Sequence, residues 1–439
     1  MTEIRYMKFQ FAVSEIMDQY LEDDGGRPWI IGFSGGKDST LLLQLVWIVV
    51  AQLGPSRHER PIHVVCNDTL VENPRIVDFI DRTLNMLTMS AVEQELPITT
   101  HKTKPRLEDT FWVNLIGKGY PAPNNFFRWC TERLKINPTS KFIIETVKES
   151  GEVIVLLGTR SDESAQRAKS LKNHAVSGRR LRKHNLPKAF IYTPIKDITT
   201  NQLWQYLMEE PPPWGGTHDE LAALYKTASG GDCPLVIDKS TSSCGNSRFG
   251  CWVCTVVKDD KSMEGLIEGG QDWMIPLYEL RKLFKESRDR DDWRMGRRRN
   301  GQEGKGPYKP EIRAHFLEEL LTAQKEIQET HGDVQLISHQ ELVSIQLKWY
   351  ADGIYEHQVS EIHDQIYNDF IPMRKQKEQE AAERELLLEI CKTRKSDADL
   401  VRNILGIQKN KSLMLRQRGL INDIDRAISE HIRNEKNDT

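Results

Sequence analysis

The 439-residue chain contains no run of eighteen apolar residues, so no segment is long enough to cross a bilayer as a helix. It has no charged-then-apolar leader either, and no secretion signal or membrane partner is expected. A strong charge of one sign is also missing. The 61 Lys and Arg against 64 Asp and Glu leave a net charge of −3, so any polyanion must be met by a local patch. There is no internal repeat. No Ser-His-Asp arrangement or carboxylate pair stands out, and the 12 histidines show no metal-ligand spacing. Cysteine is scarce, 7 residues, and bunched rather than spread as a disulfide frame. Without a secretion signal, that usage favours metal or redox chemistry in a reducing cytoplasm.

What is present begins at Pro28–Phe33, a strand-like apolar run that leads into Ser34-Gly35-Gly36-Lys37-Asp38-Ser39, with a helix-like run, Leu41 to Val50, directly after it. Two glycines let the backbone approach an anion, and the amides of the next helix's first turn point at it. Lys37 adds charge; Ser34 and Ser39 add hydroxyls. This is a phosphate cradle, but Asp38 after the lysine and the glycine spacing both break the Walker A pattern. Candidate strands at Trp29–Phe33, Ile62–Asn67, Ile98–Lys102, Val153–Thr159 and Phe190–Pro194 alternate with candidate helices at Thr40–Leu53, Asn73–Ser90 and Ser140–Ser150; Met1–Tyr20 reads as an amphipathic lead-in helix. The pattern predicts an α/β fold, a doubly wound, mostly parallel sheet. Ligands of such sheets sit beyond the carboxyl ends of the strands. Ser34, Asp68 and Gly158-Thr159-Arg160 lie at such ends.

The texture changes at Pro211-Pro212-Pro213-Trp214-Gly215-Gly216. Three regions are expected: a nucleotide domain at 1–210, a cysteine-rich and substrate-contact region at 211–310, and a C-terminal helical domain at 311–439. Helical periodicity in the last covers Glu311–Glu329, Gln340–Ala351, Glu378–Lys395 and Ile421–Arg433. Within the middle region Cys244, Cys251 and Cys254 fall at C-x6-C-x2-C, and Cys233 lies just upstream. A C-x2-C pair lets two sulfurs face one metal across a tight turn; a fourth ligand must come from elsewhere. Zinc held by four sulfurs and a lone C-x2-C dithiol are the alternatives. Cys66 and Cys391 read as buried fillers.

Arg160 and Arg167, in Gly158-Thr159-Arg160-Ser161-Asp162-Glu163-Ser164-x-x-Arg167, offer planar forks for phosphate oxygens, unless one merely pairs Asp162 or Glu163. Asp38 and Asp68 are candidate Mg²⁺ ligands near a triphosphate, and Asp38 is equally a candidate helix cap. Basic runs at Arg179–His184 and Arg294–Arg299 are candidate contacts for a polyanion's backbone or solvated loops.

Ser-Gly-Gly-Lys-Asp-Ser resembles the PP-loop of the ATP pyrophosphatases, the adenine nucleotide α-hydrolase-like group. The Arg160–Arg167 stretch resembles the G-x-R-x-x-E-S-x-x-R of the adenylylsulfate reductases. Arg128-Trp129-Cys130-Thr131 and Phe249-Gly250-Cys251-x-x-Cys254-Thr255 resemble the segments that hold a [4Fe–4S] cluster in those enzymes, with Trp129 where they have a second adjacent cysteine. The block from Cys233-Pro-Leu-Val-Ile-Asp-Lys to Cys254-Thr-Val-Val narrows the likeness, over residues 10–310, to the DndC family of DNA sulfur-modification proteins. The resemblance implies ATP bound by Ser34, Gly35, Gly36, Lys37, Asp38, Ser39, Asp68, Gly158, Arg160 and Arg167, with Lys37, Asp38 and Arg160 catalytic. It also implies Mg²⁺ and a cluster on Cys130, Cys251, Cys254 and Cys244, with Cys233 as the alternative ligand or sulfur carrier. The implied partners are DNA, a cysteine desulfurase and other modification subunits. Competing readings are a reductase of adenylylsulfate or phosphoadenylylsulfate, a tRNA thiolase, and a zinc-stapled nucleic-acid-binding module. The C-terminal cysteine motif of the reductases has no counterpart, since only Cys391 follows Cys254.

Overall fold

The structure, a computed structural model, describes residues 2–22, 26–57, 60–173, 179–228 and 250–368, with a few helical positions between 400 and 429. Cys233, Cys244, Cys391 and the expected helix at 378–395 lie outside the described residues, as does most of the one at 421–433.

Helix α1 (Thr2–Leu21) precedes β1 (Trp29–Gly32). Then follow α2 (Lys37–Leu53), β2 (Ile62–Asn67), α3 (Pro74–Glu93), β3 (Ile98–Thr103), α4 (Asn137–Ser150) and β4 (Val153–Leu156). Next come α5 (Ala165–Asn173), β5 (Arg182–Lys183), β6 (Ala189–Tyr192), α6 (Thr200–Glu209) and α7 (Asp219–Ala228). The sheet order is β3-β2-β1-β4-β6-β5. Every pairing is parallel except β5 with β6. Strand order reverses between β1 and β4, which opens a crevice at their carboxyl ends, the usual ligand position of such sheets.

Alternation along the strands divides the core. Trp29, Ile31, Ile62, Val64, Ile154 and Leu156 face one way, into apolar residues of α1, α2, α3 and α6. Ile30, Val65, Val153 and Val155 face the other way, with Ile143 of α4. The expected doubly wound α/β fold is therefore the observed one. The strands expected from Val153 to Thr159 and Phe190 to Pro194 end sooner, at Leu156 and Tyr192. Their last residues leave the ladder at the carboxyl edge of the sheet.

The chain forms two compact units. Residues 1–106 and 123–281 build the first, which contains the sheet, α8 (Lys261–Glu268) and the first turns of α9 (Ile275–Ser287). Residues 107–122 and 282–439 build the second, whose described helices include α10 (Pro310–Thr330), α11 (His339–Ala351) and α12 (Val359–Tyr367). In this second unit Trp112 Nε1 donates to Leu336 O at 2.6 Å, and Trp349 Nε1 donates to Ile116 O at 2.9 Å. Buried Arg313 joins Gly117 O at 3.1 Å to Asp352 at 2.8 Å.

Candidate nucleotide and thiol site

The Ser34–Ser39 loop closes on itself. Gly35 takes φ +71°, and a Cβ there would stand 2.7 Å from Ile80, so only glycine fits. Ser39 Oγ donates to Gly36 O at 2.9 Å and accepts from Ser34 N at 3.2 Å. Gly36 caps α2 in extended geometry with no side-chain cap, so the helix's first amides face the crevice. Asp38, the alternative cap, lies inside the first turn and does not cap it. A residue no sequence cue marked steadies the loop: Tyr225 of α7, 188 positions away, receives the Lys37 amide at 3.3 Å. The Lys37 ammonium lies 4.8 Å from the centre of the same ring.

Arg160 was expected as a phosphate fork. Its guanidinium is instead fully buried, and each nitrogen is engaged by the protein. Nε donates to Asp38 Oδ1 at 2.6 Å, Nη1 to Ile198 O at 2.9 Å and Nη2 to Thr200 Oγ1 at 3.2 Å. Asp162 is also within 3.8 Å of it. Arg160 thus braces the loop through Asp38, with three of its five N–H groups spent on protein oxygens. Gly158 makes that contact sterically possible: a Cβ would sit 2.8 Å from Asp38 O. Arg167 falls in α5, and its side chain lies outside the described residues.

The two expected magnesium ligands are already neutralised. Asp38 Oδ2 faces Lys37 Nζ at 3.3 Å. Asp68 Oδ1 accepts from Leu70 N at 2.9 Å, while Oδ2 faces Lys102 at 3.5 Å and Lys104 at 3.7 Å. A Mg²⁺ held by these carboxylates would compete with Lys37 and Arg160 at Asp38 and with Lys102 and Lys104 at Asp68.

The C-x2-C turn lies against the loop that follows β2. Cys251 forms an antiparallel bridge with Glu72, Trp252 N donates to Val71 O at 3.0 Å, and Thr69 Oγ1 is 3.3 Å from Cys251 Sγ. Cys254 N donates to Cys251 O at 3.0 Å and tightens the turn. Buried Arg281 holds the far side through Cys254 O and Val257 O, each at 2.9 Å. Cys130 precedes a wide helical turn, Thr131–Ile136, whose Lys135 feels the charges of Cys251, Glu72, Cys254 and Cys130.

Electrostatics couples these groups. Cys251 raises the Lys135 pKa first of all. Burial pushes the Cys251 thiol up to about 11 and, with Cys254 beside it, raises Cys130 as well. Burial likewise raises the Glu72 carboxyl. Among the described residues, no three His, Cys, Asp or Glu side chains form a group that could hold a single metal ion. Three thiols coupled to one half-buried ammonium are still a donor set suited to a thiolate-held group, because the lysine offsets the charge that ligation creates. Cys66 is different: burial pushes it up to about 12, and it remains a core filler beside Asn67.

A profile of the phosphoadenosine phosphosulfate reductase domain family matches residues 28–257, more than half of the chain, and the chain belongs to that family. The uncharacterized protein MJ0066 of Methanocaldococcus jannaschii is 28% identical over 232 residues, 53% of this chain and 37% of its own length. The chain thus spans little more than a third of that curated relative. Among solved structures, the phosphoadenylyl-sulfate reductase from Candida auris, a phosphate complex, aligns with a TM-score of 0.26 at 13% identity. The alignment covers 41% of this chain and 71% of that one. The U34-tRNA thiolase NcsA from Methanococcus maripaludis, with its [4Fe-4S] cluster, aligns with a TM-score of 0.27 at 17% identity, covering 51% and 74%.

Proposed function

We propose that the protein is the ATP pyrophosphatase of a DNA phosphorothioate-modification system. It adenylates a backbone phosphate so that sulfur replaces a non-bridging oxygen. A DNA phosphate oxygen attacks the α-phosphorus of ATP and pyrophosphate leaves. A sulfide-level sulfur then attacks the DNA phosphorus and AMP departs. The chain's own residues bind and orient. The Asp38 and Ser39 amides and the Lys37 ammonium stabilise charge on the departing pyrophosphate. Asp38, gripped by Arg160, sets the Lys37 side chain. Cys130, Cys251 and Cys254, with a fourth thiolate from Cys244 or Cys233, would hold a [4Fe–4S] cluster supplying electrons or a sulfur-binding iron. DNA, a cysteine desulfurase and further modification subunits are the partners this reading requires.

The observation that carries the reading is the join between the two halves of the chemistry. The Cys251 turn is hydrogen-bonded to the Asp68–Asn73 loop, at the same carboxyl edge as the Ser34–Lys37 loop. The family membership supports the nucleotide half, and the cysteine block's likeness to DNA sulfur-modification proteins supports the choice of DNA. Mass spectrometry of nuclease-digested DNA from cells with and without the protein tests it. Sulfur-bearing dinucleotides should be found only with the protein. Sulfur in tRNA digests and none in DNA would overturn the choice of substrate.

A further inference from the structure

Strands β2 and β3 carry donors that this chemistry does not use. They pair in parallel with His63 opposite Thr99 and Val65 opposite His101. Alternation places His63, Thr99 and His101 on one face, where Phe142 of α4 lies 5.8 and 4.9 Å from the two imidazoles, centre to centre. Three heteroatoms meet there. Thr99 Oγ1 is 2.9 Å from His63 Nδ1 and 2.9 Å from His101 Nε2, and the two nitrogens are 3.1 Å apart.

Hydrogen bonding satisfies all three edges of this triangle only through a bifurcated N–H. A neutral imidazole nitrogen holds either a proton or a lone pair, never both. One ring can donate to the hydroxyl and the hydroxyl to the other ring, but the nitrogen–nitrogen edge then has no proton of its own. Three lone pairs around a cation use every edge. A six-coordinate divalent ion with bonds of about 2.1 Å spaces adjacent ligand atoms about 3.0 Å apart. The observed triangle has the dimensions of one face of that shell. Thr99 is exposed and both rings partly so, which lets water complete the opposite face.

We propose that His63, Thr99 and His101 form a facial site, two imidazoles and one hydroxyl, for a six-coordinate divalent transition metal that ties edge strand β3 to β2. Imidazole donors select Ni²⁺, Cu²⁺ or Co²⁺ over Mg²⁺ and Ca²⁺. The neutral hydroxyl as third donor keeps the affinity modest. Because the metal binds only the paired strands, it stabilises the fold by mass action.

Ni²⁺ alone is the probe, titrated calorimetrically into the full, cluster-loaded chain. One site is expected, weakened at least about tenfold by His63→Ala and by His101→Ala, and accompanied by a rise in melting temperature with Ni²⁺ that both variants lose. An affinity within about twofold of the unmutated chain in either variant overturns the proposal. Should a variant fail to fold, the unmutated chain answers by NMR: substoichiometric Ni²⁺ should broaden two of the 12 histidine ring signals first. Uniform broadening overturns it.

Discussion

Arg160 shows how one buried side chain can brace a glycine loop from behind. Its three nitrogens are spent on Asp38, Ile198 and Thr200. Removing it leaves a partly buried carboxylate without its main partner, a loss of about 3–5 kcal/mol. Arg160→Ala should therefore lower unfolding free energy in urea by that order and weaken ATP binding. Arg160→Lys should fall between, since an ammonium restores charge but not three directed contacts. Lys37→Ala should abolish pyrophosphate release and leave both stability and visible absorption intact; lost colour would assign Lys37 a structural part. His218 reports on pH. Gln44 Nε2 donates to the Glu210 and Pro211 carbonyls, so its oxygen faces His218 Nε2 at 2.8 Å and fixes the neutral Nε2–H form. Burial takes the His218 pKa down to about 4. A depressed histidine contributes stability that is complete above its unfolded value, about 6.5, and is lost as pH falls toward 4. The contribution is about 2–4 kcal/mol, and His218→Gln should flatten the pH dependence of urea unfolding in that window.

At the scale of elements, the apolar alternation of β1, β2 and β4 and the glycine turn before α2 made the sheet and its strand-turn-helix loop legible, because burial and positive φ each write a local signature. Long-range joins write none. Tyr225 against Lys37, Arg281 against Cys254, Glu72 against Cys251 and the His63–His101 pair are set by register and packing, not by spacing along the chain. The basic runs divide the same way. Arg180 is taken by Glu15 and Asp18 of α1 and by Glu22 just beyond it, and Arg182 and Lys183 form the antiparallel edge strand β5. In the other run Arg299 pairs with Asp352, whereas Arg297 and Arg298 are exposed and, among the described residues, face no carboxylate. The Arg297→Ala, Arg298→Ala double variant should weaken DNA binding uniformly across sequences and reduce the salt slope by about 2. Arg180→Ala should leave that slope unchanged. Arg281→Ala should loosen the C-x2-C turn and halve or worse the iron retained, with ATP affinity kept.

For the whole molecule, the two compact units interleave along the chain, which composition did not reveal. Residues 107–122, expected inside the nucleotide domain, belong to the unit that also holds α10 and α11. Their buried Phe111, Trp112, Val113, Leu115 and Ile116 find cover there. A chain ended at Arg281 should consequently expose that apolar segment and aggregate, while the full chain stays monodisperse in light scattering. No described helix is long and apolar enough to cross a membrane. The central claim is that one crevice joins ATP cleavage to thiolate-held iron. Its most direct measurement is ATP–pyrophosphate exchange on anaerobically purified protein, assayed for iron in the same sample. The account predicts exchange that Lys37→Ala abolishes and roughly four irons per chain that Cys251→Ser removes. Iron-free, colourless protein that retains no nucleotide would contradict it.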